Sequence, residues 1–261
     1  MAQKLKKIFL LLSLLLSFSL PVFAVDYCQD ANVIGAYYFN ETSGSADDCS
    51  SNNRDLTNTG PTLNVTGVFG SGYSYDGTND VSSSTNAGFD FTGGETANFT
   101  VIFHANIASS QADGGRVVHR GESGVNGYQI VADTNGTIVA GGYNTNSWQV
   151  REEITYTADS YAHYAFVYTA SGGSFTDVDI FLNGVSQTTA SDATNWGWNA
   201  NGTWYIGGRG NGFYTDADFD EPAVFNDQLT STEINDILDN GLTSVSGTTI
   251  QAATLQGATI N

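Results

Sequence analysis

Apolar and polar residues trade places every one or two positions along most of this chain, and turn-forming residues break the pattern about every ten residues. Phe99, Val101 and Phe103 fall on one side of such a run, with Thr100, Ile102 and His104 on the other. A strand with one face turned inward has this period of two. Runs of the kind predict strands over residues 33–40, 72–76, 81–84, 99–107, 116–120, 127–132, 137–142, 147–150, 163–169, 178–182, 204–208 and 220–226. The run at 163–169 is apolar enough for a central strand, which makes His163 structural. Gly77-Thr78-Asn79 marks a tight turn, and Asn183-Gly184 suits a type I′ hairpin because both residues tolerate a left-handed backbone. Short strands at regular spacing predict an all-β sandwich or barrel and argue against βαβ units.

One helix is expected near the end. Thr230 and Glu233 form a capping box, Ile234, Ile237 and Leu238 make an apolar face, and Gly241 suits the position just past the last turn. A helix this short holds only if that face docks on a sheet.

The two ends of the chain differ from its middle. Lys4, Lys6 and Lys7, the apolar run 8–20, Pro21 and the compact Val22-Phe23-Ala24 read as a secretion signal, so residues 1–24 are set apart from the fold. That run is shorter than the roughly 20 residues a membrane span needs. Residues 242–261 are rich in Thr, Gly, Ala and Ser, with Ile250, Leu255 and Ile260 spaced five apart. They predict a flexible tail, or a strand that self-associates, since neither charge nor proline guards its edge.

Charge narrows the partners. The whole chain carries a formal −19, and its only lysines are those of the signal, so the exported chain stands at −22 with five arginines. Such a surface repels nucleic acid, whose affinity comes from Lys and Arg displacing counterions, and it disfavours anionic membranes. It keeps a secreted protein soluble. Cys28 and Cys49, the only cysteines, are expected to pair in an oxidising compartment. The bridge would close a loop of about 20 residues, worth roughly 3 kcal/mol in the chain-entropy model.

Several segments, taken in order, resemble the laminin-G-like, concanavalin A-like jelly-roll family. They are Gly35-Ala36-Tyr37-Tyr38-Phe39-Asn40-Glu41, Asp48-Cys49-Ser50-Ser51-Asn52-Asn53, and Gly70-Ser71-Gly72-Tyr73-Ser74-Tyr75-Asp76-Gly77. His163-Tyr164-Ala165-Phe166-Val167-Tyr168 and Ile180-Phe181-Leu182-Asn183-Gly184-Val185 follow. Trp204-Tyr205-Ile206-Gly207-Gly208-Arg209 and Asp218-Phe219-Asp220-Glu221-Pro222-Ala223-Val224-Phe225-Asn226 close the series. The resemblance implies two antiparallel sheets of six or seven strands over about residues 33–241, with the first and last strands as neighbours. It also implies a structural calcium ion, for which Asp48, Asn52, Asp80 and Asp220 supply the oxygen ligands a hard cation wants. The plainer role of such residues is to cap turns.

No catalytic constellation stands out. Related endo-glucanases carry E-x-D-x-x-E on one strand. The nearest run here, from Asp216 to Glu221, lacks the leading glutamate, and strand alternation would send Asp220 and Glu221 to opposite faces. Glu152-Glu153 has the same defect, and His104 and His119 have no evident partner. Sugar recognition by aromatic rings and amides is a better match, through Tyr143, Asn146 and Trp148 in one region and Trp196 and Trp198 in another. The expectation is a secreted or cell-surface, non-catalytic module, residues 25–241, that binds glycans or another extracellular polymer with a structural calcium. A self-associating structural or adhesive surface protein and a polysaccharide hydrolase with an unrecognised site are the alternatives.

Overall fold

The computed structural model describes residues 25–90, 98–112, 114–121, 127–144, 147–171, 174–187 and 202–243. The strands are β1 (Val33–Ala36), β2 (Thr57–Thr59), β3 (Thr62–Thr66), β4 (Ser71–Asp76), β5 (Val81–Ser84), β6 (Phe99–Ile107), β7 (Gly115–Arg120) and β8 (Gly127–Ala132). They continue with β9 (Thr137–Asn144), β10 (Ser147–Thr155), β11 (Tyr161–Ser171), β12 (Ser174–Leu182), β13 (Val185–Gln187), β14 (Trp204–Ile206) and β15 (Asp216–Phe225), before the helix α1 (Ser231–Asn240).

They form two antiparallel sheets. An eight-stranded sheet runs β13-β12-β11-β6-β15-β4-β3 with β1 paired to β15, and a seven-stranded sheet runs β10-β9-β8-β7-β14-β5-β2. The expected closure is present: Val33, Gly35 and Ala36 pair with Phe225, Val224 and Ala223. The all-β jelly-roll sandwich inferred from the strand pattern is the observed architecture, one strand richer in one sheet than the resemblance implies.

Alternation along the strands sends one row of side chains inward from each sheet. Phe99, Val101, Phe103 and Tyr164 from one sheet meet Val118, Ile130, Ala140 and Ile206 from the other in the main core. Trp204 is fully buried there, stacked on Phe89 at 4.6 Å between ring centroids. Burial of a side chain of this size contributes on the order of 2–3 kcal/mol. A second core lies on the opposite face of the eight-stranded sheet, where Ile102, Ala165, Val167 and Phe225 pack against Tyr27, Ile234, Ile237 and Leu242. This is the docking that α1 needs. Its capping box is complete, and Gly241 ends it at φ +76°. The Asn183-Gly184 turn has φ of +50° and +74°, as a type I′ hairpin demands.

Three strands were not predicted. β2, β3 and β13 are polar and largely exposed, so no apolar alternation marks them. β1 is shorter than expected, since Tyr37 leaves it to bridge Asp48 and Phe39 takes φ +54°. The packed body also extends past Gly241. Leu242 is fully buried, its carbonyl accepts from the Tyr27 N–H at 2.9 Å, and Thr243 bridges Asp26. Residues 1–24 and 244–261, and so the predicted signal and most of the predicted tail, lie outside the described residues.

Candidate functional site

Register across the seven-stranded sheet separates two kinds of row. One, Ser82-Ile206-Val118-Ile130-Ala140, faces the core. The adjacent row on the opposite face runs Thr57-Ser83-Tyr205-His119-Gln129-Gly141-Arg151 and crosses all seven strands. It contains no aliphatic side chain. Tyr205 and Ser83 are half-buried, whereas His119 and Gln129 are recessed at its centre.

The chemistry at that centre is specific. Burial, and then the Arg116 and Arg209 guanidiniums, push His119 down to about 3, so its imidazole is neutral. Its Nε2 lies 3.0 Å from the Gly121 carbonyl oxygen, which can only accept, so Nε2 carries the proton and Nδ1 presents a lone pair. His119 Nδ1 and Gln129 Nε2 bond to no residue outside this pair, while the Gln129 side chain itself hydrogen-bonds the His119 ring and opposes the fall of its pKa. An acceptor and an N–H donor therefore occupy directly opposed positions of two neighbouring strands. That combination complements a hydroxyl, which both gives and takes a hydrogen bond.

A cationic rim borders the row. Phe213, 48% exposed, lies between the loop after β14 and the start of β15. The Arg116 and Arg209 guanidinium carbons sit 4.8 and 4.7 Å from its ring centroid. Gly210 in the same loop faces Tyr205, whose hydroxyl would meet a Cβ there at 2.7 Å. Of this set, Tyr205 and Arg209 fall in a segment that carries the family resemblance, and His119 stands out only as a histidine with no evident partner. His119, Gln129 and Arg116 become neighbours through strand register, which local pattern does not encode.

Of the predicted sugar-binding residues, Tyr143 and Trp148 are register partners on β9 and β10, at the far end of the same sheet. Their backbone alone is described. Asn146, Trp196 and Trp198 lie outside the described residues. The disulfide is present between Cys28 and Cys49, with Cα atoms 5.5 Å apart, and Cys28 Sγ lies 2.9 Å from the Tyr38 hydroxyl.

The four predicted calcium ligands do not share a site. Asp48 Oδ1 accepts from the Ala36 and Ser50 N–H groups, and its Oδ2 from Arg54 N–H at 2.8 Å. Asn52 donates to the Val33 carbonyl, and Asp80 Oδ2 accepts from Asp76 N–H. Asp220 Oδ2 accepts from both Val68 and Phe69 N–H, at 2.7 and 2.8 Å. Among the described residues no three His, Cys, Asp or Glu side chains gather as a metal site. These residues hold backbone turns, as short polar side chains commonly do, and a shared calcium cage does not fit them.

The Asp220-Glu221 pair also departs from expectation. A bulge interrupts β15 between Asp220 and Ala223, and Glu221 takes φ +48°. Asp220 braces the 67–70 turn, whose Phe69 ring contacts His104, while Glu221 Oε2 accepts from Leu242 N–H. Both partners lie on the outer face of the eight-stranded sheet, so the alternation that would separate the two carboxyls is cancelled. Glu221 lines a cavity of about 450 Å³ with Tyr38, Asn40, Phe69, Asn240 and Thr243.

Two antiparallel sheets with a polar row on one outer face define a lectin-like β-sandwich. Residues 76–235 match the laminin-G-type model of the concanavalin A-like lectin/glucanases superfamily, and the chain belongs to that family. No curated protein sequence matches it. Among solved structures, it is similar to the binding domain of botulinum neurotoxin DC in complex with SialylT, at TM-score 0.61 and 15% identity over 80% of this chain and 51% of that one. A structure of botulinum neurotoxin type C, described with an interaction with two ganglioside molecules, gives TM-score 0.63 and 14% identity over 80% and 51%. A mutant of Trypanosoma rangeli sialidase displaying trans-sialidase activity gives 0.60 and 14% over 82% and 34%. The chain thus spans about half the length of the neurotoxin chains and a third of the sialidase. Identities this low speak for fold alone.

Proposed function

We propose that this domain is a non-catalytic carbohydrate-binding module, exported from the cell, which takes a glycan on the outer face of the seven-stranded sheet. The observation that carries this reading is the recessed, polar His119–Gln129 pair, which bonds to no other side chain, beside the half-buried Tyr205. Tyr205 offers a ring and a hydroxyl of the kind that lines sugar sites. Its fold neighbours include proteins described with SialylT and with gangliosides, which supports a glycan as the ligand class. The row contains no carboxylate, so it lacks the acid pair of glycoside hydrolysis. The basic, apolar and compact parts of residues 1–24 support export.

Among the described residues, a hydrolase reading could draw on Glu221, whose carboxyl burial pushes up to about 8. Its neighbour Asp220 is fully buried and committed to two backbone N–H groups, which suits bracing better than proton transfer.

A glycan array on the purified protein, followed by titration of the best ligand, tests the binding reading. Tyr205→Ala and Gln129→Ala are each expected to weaken binding by about ten-fold or more, equivalent to about 1.4 kcal/mol. Full affinity in both variants would remove the row as the site.

A further inference from the structure

We infer that the cavity beside Glu221 is a second sugar site, which takes the acetamido group of a neutral sugar. It lies on the outer face of the eight-stranded sheet, away from the polar row, so it does not depend on the reading of that row.

Elements far apart in the chain build the cavity. Tyr38 and Asn40 follow β1, Phe69 sits in the turn between β3 and β4, and Glu221 stands at the bulge of β15. Asn240 ends α1, and Thr243 follows it. The volume, about 450 Å³, falls in the range of small-ligand pockets, roughly 300–1,000 Å³. Glu221 is 4% exposed and holds a left-handed backbone that a side chain of its size rarely adopts. Backbone strain of this sort is commonly kept at ligand sites.

Hydrogen bonds already made within the protein decide which atoms are left for a ligand. Glu221 Oε2 accepts from Leu242 N–H at 2.8 Å, and Oε1 takes no hydrogen bond from any described residue. The residues that line the cavity include no basic side chain, and burial keeps the carboxyl protonated at neutral pH. The proton therefore sits on Oε1 and makes it a donor. Asn40 Oδ1 accepts from Ser71 N–H at 2.9 Å, which leaves its amide nitrogen to give. Asn240 is held the other way. Its Nδ2 donates to the Asp236 carbonyl at 3.2 Å and to Asp236 Oδ1 at 2.9 Å, which leaves its own Oδ1 to accept. The Tyr38 and Thr243 hydroxyls bond each other. Two donors and one acceptor beside the half-buried rings of Phe69 and Tyr38 match an acetamido group. Its carbonyl accepts twice, its N–H donates once, and its methyl suits an apolar wall. A site built to hydrogen-bond such groups discriminates against an analogue that lacks them. The other titratable groups nearby are Asp220, raised by burial, Tyr38 and the neighbouring Asp26, Asp236 on α1, and His104 behind Phe69. Burial raises Tyr38 and lowers His104 to about 4, so both stay neutral from pH 7 to 9.5.

Ring-proton shifts of Phe69 and Tyr38 in the isotope-labelled protein read the cavity directly. The ligands are the methyl glycosides of N-acetylglucosamine and glucose, and choline as a fixed cation. At pH 7 the acetamido sugar is expected to bind at least about ten-fold tighter than the other two. Its affinity should fall about ten-fold or more between pH 7 and 9.5, as Glu221 loses its proton. Glu221→Gln offers an amide donor with no proton to lose, so it should flatten that profile. Asn40→Asp keeps the acceptor for Ser71 N–H but removes the donor, and should weaken binding by about five-fold or more. The melting temperature of each variant is the folding control. The site is overturned if glucose binds as tightly as the acetamido sugar, or if Glu221→Gln keeps a profile as steep as the parent's. Choline binding tighter than the sugar and strengthening toward pH 9.5 overturns it too, since an ammonium ion wants the ionised carboxylate. So does the absence of shifts at Phe69 and Tyr38 with all three ligands. Tyr205 ring shifts in the same spectra report the polar row, so the two sites stand or fall separately.

Discussion

At Glu221 the backbone and the carboxyl are both held in states neither would adopt alone. Its φ is +48°, and Gly241 packs so near that a Cβ there would meet Glu221 Oε2 at 2.6 Å. Burial is the main reason its carboxyl rises to about 8, with Asp220 adding to the effect and the Leu242 N–H opposing it. The folded protein therefore keeps a proton that the unfolded chain gives up above about 4.5. Stability from this group is greatest below that value and is lost as pH rises through 8. His104 and His119 work in the opposite sense. Burial lowers them to about 4 and 3, so their penalty grows as pH falls below 6.5. Between pH 6.5 and 9 Glu221 therefore contributes a loss of stability, in the same sense as the other carboxyls that burial raises, Asp220 among them. Glu221→Gln keeps an acceptor for Leu242 and has no proton to lose. Between pH 6 and 9 it should gain about 2 kcal/mol relative to the parent in urea denaturation. Parallel curves for the two proteins would mean that the carboxyl does not titrate there. Sequence alternation placed Asp220 and Glu221 on opposite faces; the bulge that brings them together depends on pairing with β6, a partner more than a hundred positions away.

At the scale of elements, those with a local signal were legible. The capping box of Thr230 and Glu233 is formed in both directions, with Thr230 N–H to Glu233 Oε2 at 2.7 Å and Glu233 N–H to Thr230 Oγ1 at 3.3 Å. Thr230→Ala is expected to cost about 1 kcal/mol of stability, read by equilibrium denaturation at pH 7. A loss below about 0.2 kcal/mol would mean the cap does not hold α1 in place. The strands β5, β6 and β8 begin and end where hydrophobic alternation and turn residues place them. β2, β3 and β13 escaped because each is a polar strand on a sheet edge or next to one. Such strands are held by their neighbours' backbone groups and leave little trace in residue type.

Across the whole molecule, the first and last strands meet in the eight-stranded sheet, while the candidate site depends on registers within the seven-stranded one. The family was legible because its motifs occur in order along the chain, each on a strand or turn that the fold uses. The site was much less so. Tyr143 and Trp148 stand out as large aromatics, whereas His119 and Gln129 are ordinary residues that acquire a role only when β7 and β8 lie side by side with β14. Calcium ligands were hard to read for a related reason, since a carboxylate that caps a turn and one that holds a cation look alike until their hydrogen bonds are known. The outer face of the seven-stranded sheet can be interrogated directly by amide chemical-shift mapping of the labelled protein, titrated with the tightest ligand from a glycan array. The largest perturbations are expected at His119, Gln129 and Tyr205 and to fade toward α1. Perturbations confined to the eight-stranded sheet or to the Glu221 cavity, with those three residues unmoved, would contradict the assignment.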